Sequence, residues 1–360
     1  MADDGAQPRV TRGRLPAMDR PLRFGLAGLG SMGLNHLRVL GEHPDARLVA
    51  ISDPARPALE AATARSGAQG FENALAMIRE AELDALVIAA PTTFHAELAL
   101  AAIDADVAVL VEKPVAATVD DGLRILAASR ARGVPVQVGH VERFNPAVLE
   151  LGRLIAEGWL STIYSISSRR AGPFPARIRD VGVTVDLATH DVDILSWIAR
   201  ERPHRVYAET AQRIHADHED LLFGLLGFPS GATGFVDVNW LTPTKRRQLV
   251  VVGEEGMFEL DYLTQRLTFT KQPNVGQPTL IGGYAPTFEG DVALVPVLSG
   301  EPLVAELEAF MQVVRDGSRP IVDVEDGVWA VAIATAFLEA AATGRPHDLS
   351  DLQVTLAGAS

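Results

Sequence analysis

Leu22–Gly33 reads LRFGLAGLGSMG. Leu22–Ala27 is a compact apolar run of the length of one buried strand, and Gly28, Gly30 and Gly33 occupy the three glycine positions of a GxGxxG turn leading into the helical pattern Ser31–Leu40. Each glycine has a mechanical reading. Gly28 permits the tight turn out of the strand, Gly30 lets backbone amides approach a ligand closely, and Gly33 lets the helix pack against the strand. The helix start, with Ser31 and Met32 in its first turn, presents unpaired N–H groups and the positive end of the helix dipole to a phosphate. Three spaced glycines alone are a weak pattern. The strand before and the helix after make this a dinucleotide loop.

Working outward, the second strand, Arg47–Ser52, ends at Asp53. A carboxylate there accepts both hydroxyls of an adenosine ribose and repels a 2′-phosphate, so the expected cofactor is NAD rather than NADP. Arg56 lies close by and is the residue through which NADP stays open. Strand and helix signals then alternate. Strands are expected at Gln69–Phe71, Ala85–Ala90, Val107–Val111 and Val134–Val138, with helices at Pro57–Arg65, Asn73–Glu80, Phe94–Ala105 and Thr118–Arg132. The fold class is therefore α/β, with residues 21–140 forming a doubly wound Rossmann domain.

After Gly139 the grammar changes. Following a helix at Pro146–Glu157, strand signals arrive in series at Thr162–Arg169, Arg205–Arg213, Leu221–Phe228, Gly234–Leu241, Gln248–Val252 and Met257–Tyr262. A helix at Asp186–Ala199 interrupts them, residues 271–302 read as a long loop, and helices at Leu303–Arg315 and Asp326–Ala342 close the pattern. Residues 141–360 are thus expected to be an α+β domain with an open, mostly antiparallel sheet, and residues 1–20 a flexible leader.

The formal net charge of −14 argues against a nucleic-acid partner, since phosphate backbones need a basic face. The absence of cysteine excludes disulfides, thiolate nucleophiles and cysteine-based metal sites. No signal-peptide run or continuous apolar span is read, so a cytoplasmic protein without a membrane partner is expected.

Oxidising a secondary alcohol needs a base for the hydroxyl proton and a fixed alignment for hydride departure. Asp186 and His190 stand i, i+4 within one expected helix, so the carboxylate can hold one ring nitrogen and leave the other for substrate. Lys113 follows a buried strand at its carboxyl end, where open α/β sheets place their sites, and its ammonium can stabilise negative charge on the reacting oxygen. His190 is taken as the base, with Lys113 as the alternative. Glu112 is read as holding backbone or cofactor. A metal cluster of His190, Asp191 and Asp193 is disfavoured, because hydride transfer to NAD needs no metal. The run His215–Asp220 looks metal-like but is read as a solvated turn. Arg143, near the end of the last Rossmann strand, is expected to contact cofactor or substrate. Arg169, Arg170, Arg177 and Arg179 form a basic cluster suited to a diphosphate, with Arg177 and Arg179 as candidate substrate ligands. Lys245–Arg247 is read as structural or interfacial.

Four stretches resemble the glucose–fructose oxidoreductase / inositol dehydrogenase family. They are GLAGLGSMG (25–33) with His36, AAPTTFHAELA (89–99), VEKPVA (111–116) and DLATHDVDIL (186–195). The tail AELEAFMQVVRDGSRPIVDVEDG (305–327) is similar too. The resemblance implies a two-domain dehydrogenase in which Pro91, Thr92 and His95 face the cofactor and Lys113, Asp186 and His190 form the catalytic trio. Within the family, QVGHVERFNPAV (137–148) and residues 172–195 look like dehydrogenases that oxidise UDP-N-acetylglucosamine at its 3-hydroxyl; inositol dehydrogenases are similar as well. The substrate expected is therefore a nucleotide sugar, with a free polyol such as inositol as the alternative and a non-catalytic NAD sensor as the outsider. The resemblance also implies a homodimer or homotetramer built through the second sheet.

Overall fold

The computed structural model describes residues 20–175, 181–273 and 290–358. Six parallel strands make the first sheet: β1 (Leu22–Ala27), β2 (Ala46–Ser52), β3 (Gln69–Phe71), β4 (Ala85–Ile88), β5 (Ala108–Glu112) and β6 (Val136–Gly139), in the order β3-β2-β1-β4-β5-β6. The connecting helices are α1 (Ser31–Glu42), α2 (Arg56–Ser66), α3 (Ala74–Glu80), α4 (His95–Asp104) and α5 (Val119–Arg132). Every residue of β4 and β5 is buried, which is why both strands read as unbroken apolar runs. Local signals set the helix ends. Asn73 and Thr118 cap α3 and α5 through their side chains, while Gly67 and Gly133 stop α2 and α5 in left-handed conformations. The strand order reverses between β1 and β4, so a crevice opens outside their carboxyl ends.

The second half opens with α6 (Pro146–Ala156) and builds a nine-stranded sheet. Its strands are β7 (Ile163–Pro173), β8 (Arg205–Ala211), β9 (Leu221–Gly227), β10 (Thr233–Asn239), β11 (Leu241–Gly253), β12 (Gly256–Asp261), β13 (Arg266–Lys271), β14 (Val292–Val295) and β15 (His347–Asp348). The order is β14-β13-β12-β11-β7-β10-β9-β8-β15, and β7 with β10 is its parallel pair. Two features depart from the sequence reading. Residues 271–302 are not one loop: Val292–Val295 pairs with Phe269 and its neighbours as an edge strand, while residues 274–289 lie outside the described set, as does the expected leader apart from Arg20. The helix expected over Asp186–Ala199 is a wide π-turn at Thr184–Ala188 followed by α7 (Thr189–Ala199).

The C-terminal helices α8 (Pro302–Asp316) and α9 (Val324–Thr343) do more than close the chain. Leu303, Leu307, Phe310 and Met311 of α8 join Phe24, Leu26 and Leu37 in one apolar cluster. On the other side of the parallel sheet, α9 packs on α5, where a Cβ at Gly122 would stand 2.8 Å from Val328. Helix α9 has the length and apolarity of a membrane span, yet it packs against α5, α7 and β8. A last helix, α10 (Ser350–Gly358), follows β15. The sheet face away from the helices exposes Phe223, Leu225 and Phe235, with the two phenylalanine rings stacked at 6.3 Å.

Candidate active site

The glycine loop has the geometry its spacing implies. Gly28 sits at φ +96°, and a Cβ there would lie 2.5 Å from the Ala89 carbonyl. A Cβ at Gly33 would lie 2.0 Å from the Gly28 carbonyl, so α1 and the turn approach as only glycine permits. Above Gly30 the space is open, with no atom within 4 Å of a Cβ position. Helix α1 starts without a side-chain cap, and Gly30 and Ser31 are exposed, with Met32 half-buried beside them. An uncapped helix N-terminus under open space suits a pyrophosphate.

Asp53 lies at the end of β2, as expected. Its Oδ2 accepts from the Leu29 N–H at 2.7 Å and its Oδ1 from Ala55 at 2.8 Å. The carboxylate thereby braces the glycine loop and keeps a lone pair on each oxygen for ribose hydroxyls. Arg56 bonds Glu72 at 3.1 Å in a solvent-exposed pair. Pro91 and Thr92 stand at the rim after β4, on the crevice side.

Lys113 and Asp186 meet across the interface of the two sheets. The Lys113 Nζ donates to the Asp186 backbone carbonyl at 2.7 Å and to its Oδ1 at 3.3 Å. The Lys113–Pro114 peptide is cis. The expected Asp186–His190 hydrogen bond is not made. The π-turn carries Asp186 out of α-helical register with His190, and the carboxylate turns to Lys113 instead. The His190 Nδ1 is buried with no partner, whereas Nε2 is not closed off. Burial, then Lys113, Arg170 and His140, push the His190 imidazole well below its ordinary range, so the ring is a neutral base.

His95, Arg143, Arg169 and Arg170 have other work than the one expected of them, while Glu112 holds backbone, one of the two roles read for it. His95 is buried, and its ring bridges the Pro114 carbonyl at 2.8 Å and the Ala90 carbonyl at 2.9 Å. It ties the β4 loop to the Lys113 turn rather than facing a cofactor. Glu112 is buried against His36 at 2.8 Å and accepts from the Lys113 N–H at 3.3 Å. Burial is the largest influence and raises its proton affinity, but the His36 hydrogen bond together with the charges of His36 and Lys113 brings it below the ordinary carboxylate range, while burial beside Glu112 pushes Glu306 well above it. Arg143 is 3% exposed and forks onto Asp193 at 2.7 and 2.6 Å, so it is a buried tie between α7 and the end of β6, not a substrate contact. Arg170 likewise bonds Asp191 at 2.9 Å and Glu142 at 2.8 Å, while Arg169 points to the opposite face and pairs with Asp237. The proposed basic cluster is therefore split by strand alternation. Arg177 and Arg179 lie outside the described residues.

The run His215–Asp220 is a turn between β8 and β9 whose middle, Ala216 and Asp217, is exposed as expected, but whose ends, His215 and Asp220, are buried. The Asp220 carboxylate is buried and accepts from the N–H groups of Arg213, Ile214 and His215. The Glu219 carbonyl and carboxylate then accept from Val183 and Thr184, which fixes the entry to the π-turn. Among the described residues no group of ligands has metal geometry. His140 was not singled out from sequence. It follows β6, is 1% exposed, and faces His190 edge-on with ring centroids 6.4 Å apart. Its place just past the carboxyl end of a sheet strand was the available signal.

The profile of an oxidoreductase family with an NAD-binding Rossmann fold matches residues 22–140, and that of the GFO/IDH/MocA C-terminal domain matches residues 148–259. An inositol 2-dehydrogenase from Saccharopolyspora erythraea is 30% identical over 334 residues, covering 90% of this chain and 94% of its own. Among solved structures, the WlbA dehydrogenase from Bordetella pertussis, in complex with NADH and UDP-GlcNAcA, superposes with a TM-score of 0.76 at 27% identity, covering 92% of this chain and 99% of its own. The UDP-N-acetylglucosamine 3-dehydrogenase GnnA from Acidithiobacillus ferrooxidans shares the fold, with a TM-score of 0.78 at 21% identity over 89% of this chain and 97% of its own.

Proposed function

Because the chain belongs to the GFO/IDH/MocA family, and is thus an oxidoreductase acting on the CH–OH groups of sugars or polyols, we propose that it oxidises a secondary ring hydroxyl of a UDP-sugar, such as UDP-N-acetylglucosamine at C3, with NAD. The convergence of Lys113, Asp186 and the open Nε2 of His190 beside the crevice carries the reaction type. The His190 Nε2 takes the hydroxyl proton, which the ring's neutrality allows. The Lys113 Nζ, held by Asp186, donates to the same oxygen and stabilises its developing charge. Gly28, Gly30, Ser31, Met32, Gly33 and Asp53 hold the dinucleotide, with Pro91 and Thr92 at its rim. The bound NAD supplies the hydride acceptor.

The preference for NAD is supported by the Asp53 carboxylate. The UDP-sugar reading is supported by the likeness to the UDP-GlcNAcA complex and by the VGHVERFNP stretch at 138–146. A free polyol is the second reading, favoured by the inositol 2-dehydrogenase relative. The bare face bearing Phe223, Leu225 and Phe235 favours a homodimer or homotetramer. The test is NADH formation with a panel of UDP-sugars, free sugars and inositols. Turnover confined to UDP-sugars is the expected result; turnover of inositols alone selects the second reading, and none at all contradicts both.

A further inference from the structure

With Asp186 committed to Lys113, the base lacks the partner that usually fixes an imidazole's tautomer. The buried Nδ1 of His190 has no hydrogen-bond partner, and neither ring nitrogen of His140 has one. These two rings stand edge to face, 6.4 Å between centroids and 90° between planes. On its far side the His140 Nδ1 lies 3.9 Å from the Asp193 Oδ2. Buried polar atoms are rarely left without a partner, and such contacts in a ligand-free site tighten when the site fills.

We propose that His140 is the positioning residue for the base: with the rings 6.4 Å apart, beyond direct hydrogen-bond reach, its Nε2 accepts from the His190 Nδ1–H through one water, and its own Nδ1–H is directed at Asp193. This keeps the lone pair of His190 on Nε2, toward the substrate hydroxyl. As in a hydrolase triad, the nitrogen of the base remote from substrate is fixed by a buried acceptor; here that acceptor is a second imidazole, itself aimed at a carboxylate. The groups facing His140 are Asp193 of α7, Arg143 beyond β6, Asp326 of α9, Lys113 beyond β5 and His190 itself. Burial holds His140 neutral against the pull of Asp193, so it can accept on one nitrogen while donating from the other. Asp193 is already forked by Arg143 and stays a fixed acceptor.

The inference rests on His190 being the base, and its test separates the two. Long-range proton–nitrogen correlation spectra of the whole protein, labelled in histidine, report the tautomer of His190 without any substrate. A His190→Ala sample assigns the signals. The expected wild-type form is Nδ1–H. In His140→Phe the tautomer ratio shifts by about tenfold toward Nε2–H, the effect of losing one hydrogen bond. His140→Gln, which keeps an acceptor, retains the wild-type ratio. With a substrate from the panel, His140→Phe lowers kcat on the order of 10²-fold while KM and NAD affinity stay within about twofold. An Nε2–H tautomer in the wild-type protein overturns the inference whether or not the variants fold. So does an unchanged tautomer and kcat in a folded His140→Phe. Normal turnover by His190→Ala would instead remove the base assignment beneath it.

Discussion

Asp186 and Lys113 are 73 positions apart in the chain, and both contacts between them go through the same ammonium. That leaves His190 neutral in a buried setting, with Lys113 and Arg170 as its cationic neighbours. A group whose proton affinity is depressed stays in its neutral, active form as pH falls through the ordinary imidazole range near 6.5. The kcat/KM profile therefore remains flat through that value and turns down only at a lower pH. A midpoint at or above it would contradict the burial of the base. The sequence pointed to these three residues through local signals, a strand end, a proline and a helical spacing, and the last of these misled about their pairing, since the π-turn breaks the i, i+4 register. It was uninformative about which carboxylate meets which cation. Arg143 and Arg170 looked like substrate ligands because guanidinium groups suit anions, yet their anions are Asp193, Asp191 and Glu142, brought together by α7 packing on β7. Nothing in the spacing of these residues encodes that encounter.

At the level of elements, the βα turn was the most legible piece, since each glycine answers a steric demand that acts within a few residues. The Gly33→Ala methyl would fall 2.0 Å from the Gly28 carbonyl, where backbone has to move. Calorimetric titration should show NAD affinity reduced by tenfold or more (roughly 1.4 kcal/mol) with the far-ultraviolet spectrum intact; full affinity would separate the loop from the cofactor. The π-turn was not legible. It arises because Glu219, from a loop before β9, caps its entry, and a Cβ at Gly182 would clash with that carboxylate at 2.1 Å. A helix periodicity over Asp186–Ala199 cannot reveal a turn widened by a partner from elsewhere in the chain. The same loop explains why His215–Asp220 misled: the carboxylates of Glu219 and Asp220 accept from backbone N–H groups, a pattern that composition does not distinguish from metal ligands or solvated charge.

For the whole molecule, α8 and α9 cover the parallel sheet from opposite sides: α9 joins one face of that sheet to the second sheet in a single core, while α8 closes the other face in a separate cluster. That construction sets Lys113, from the first sheet, against Asp186 and His190, from the second. The fold class was readable from alternating strand and helix patterns, while this division of the helices was not, because amphipathic helices do not specify which layer they cover. The junction between the layers is thus proposed as a dehydrogenase site whose base is His190. The most direct measurement is NADH absorbance after mixing NAD and the best substrate of the panel with the wild-type protein and with His190→Ala. Turnover in the first and a loss of about 10²-fold or more in the second, with NAD binding retained, are the expected results. Equal turnover by the two proteins would contradict the assignment.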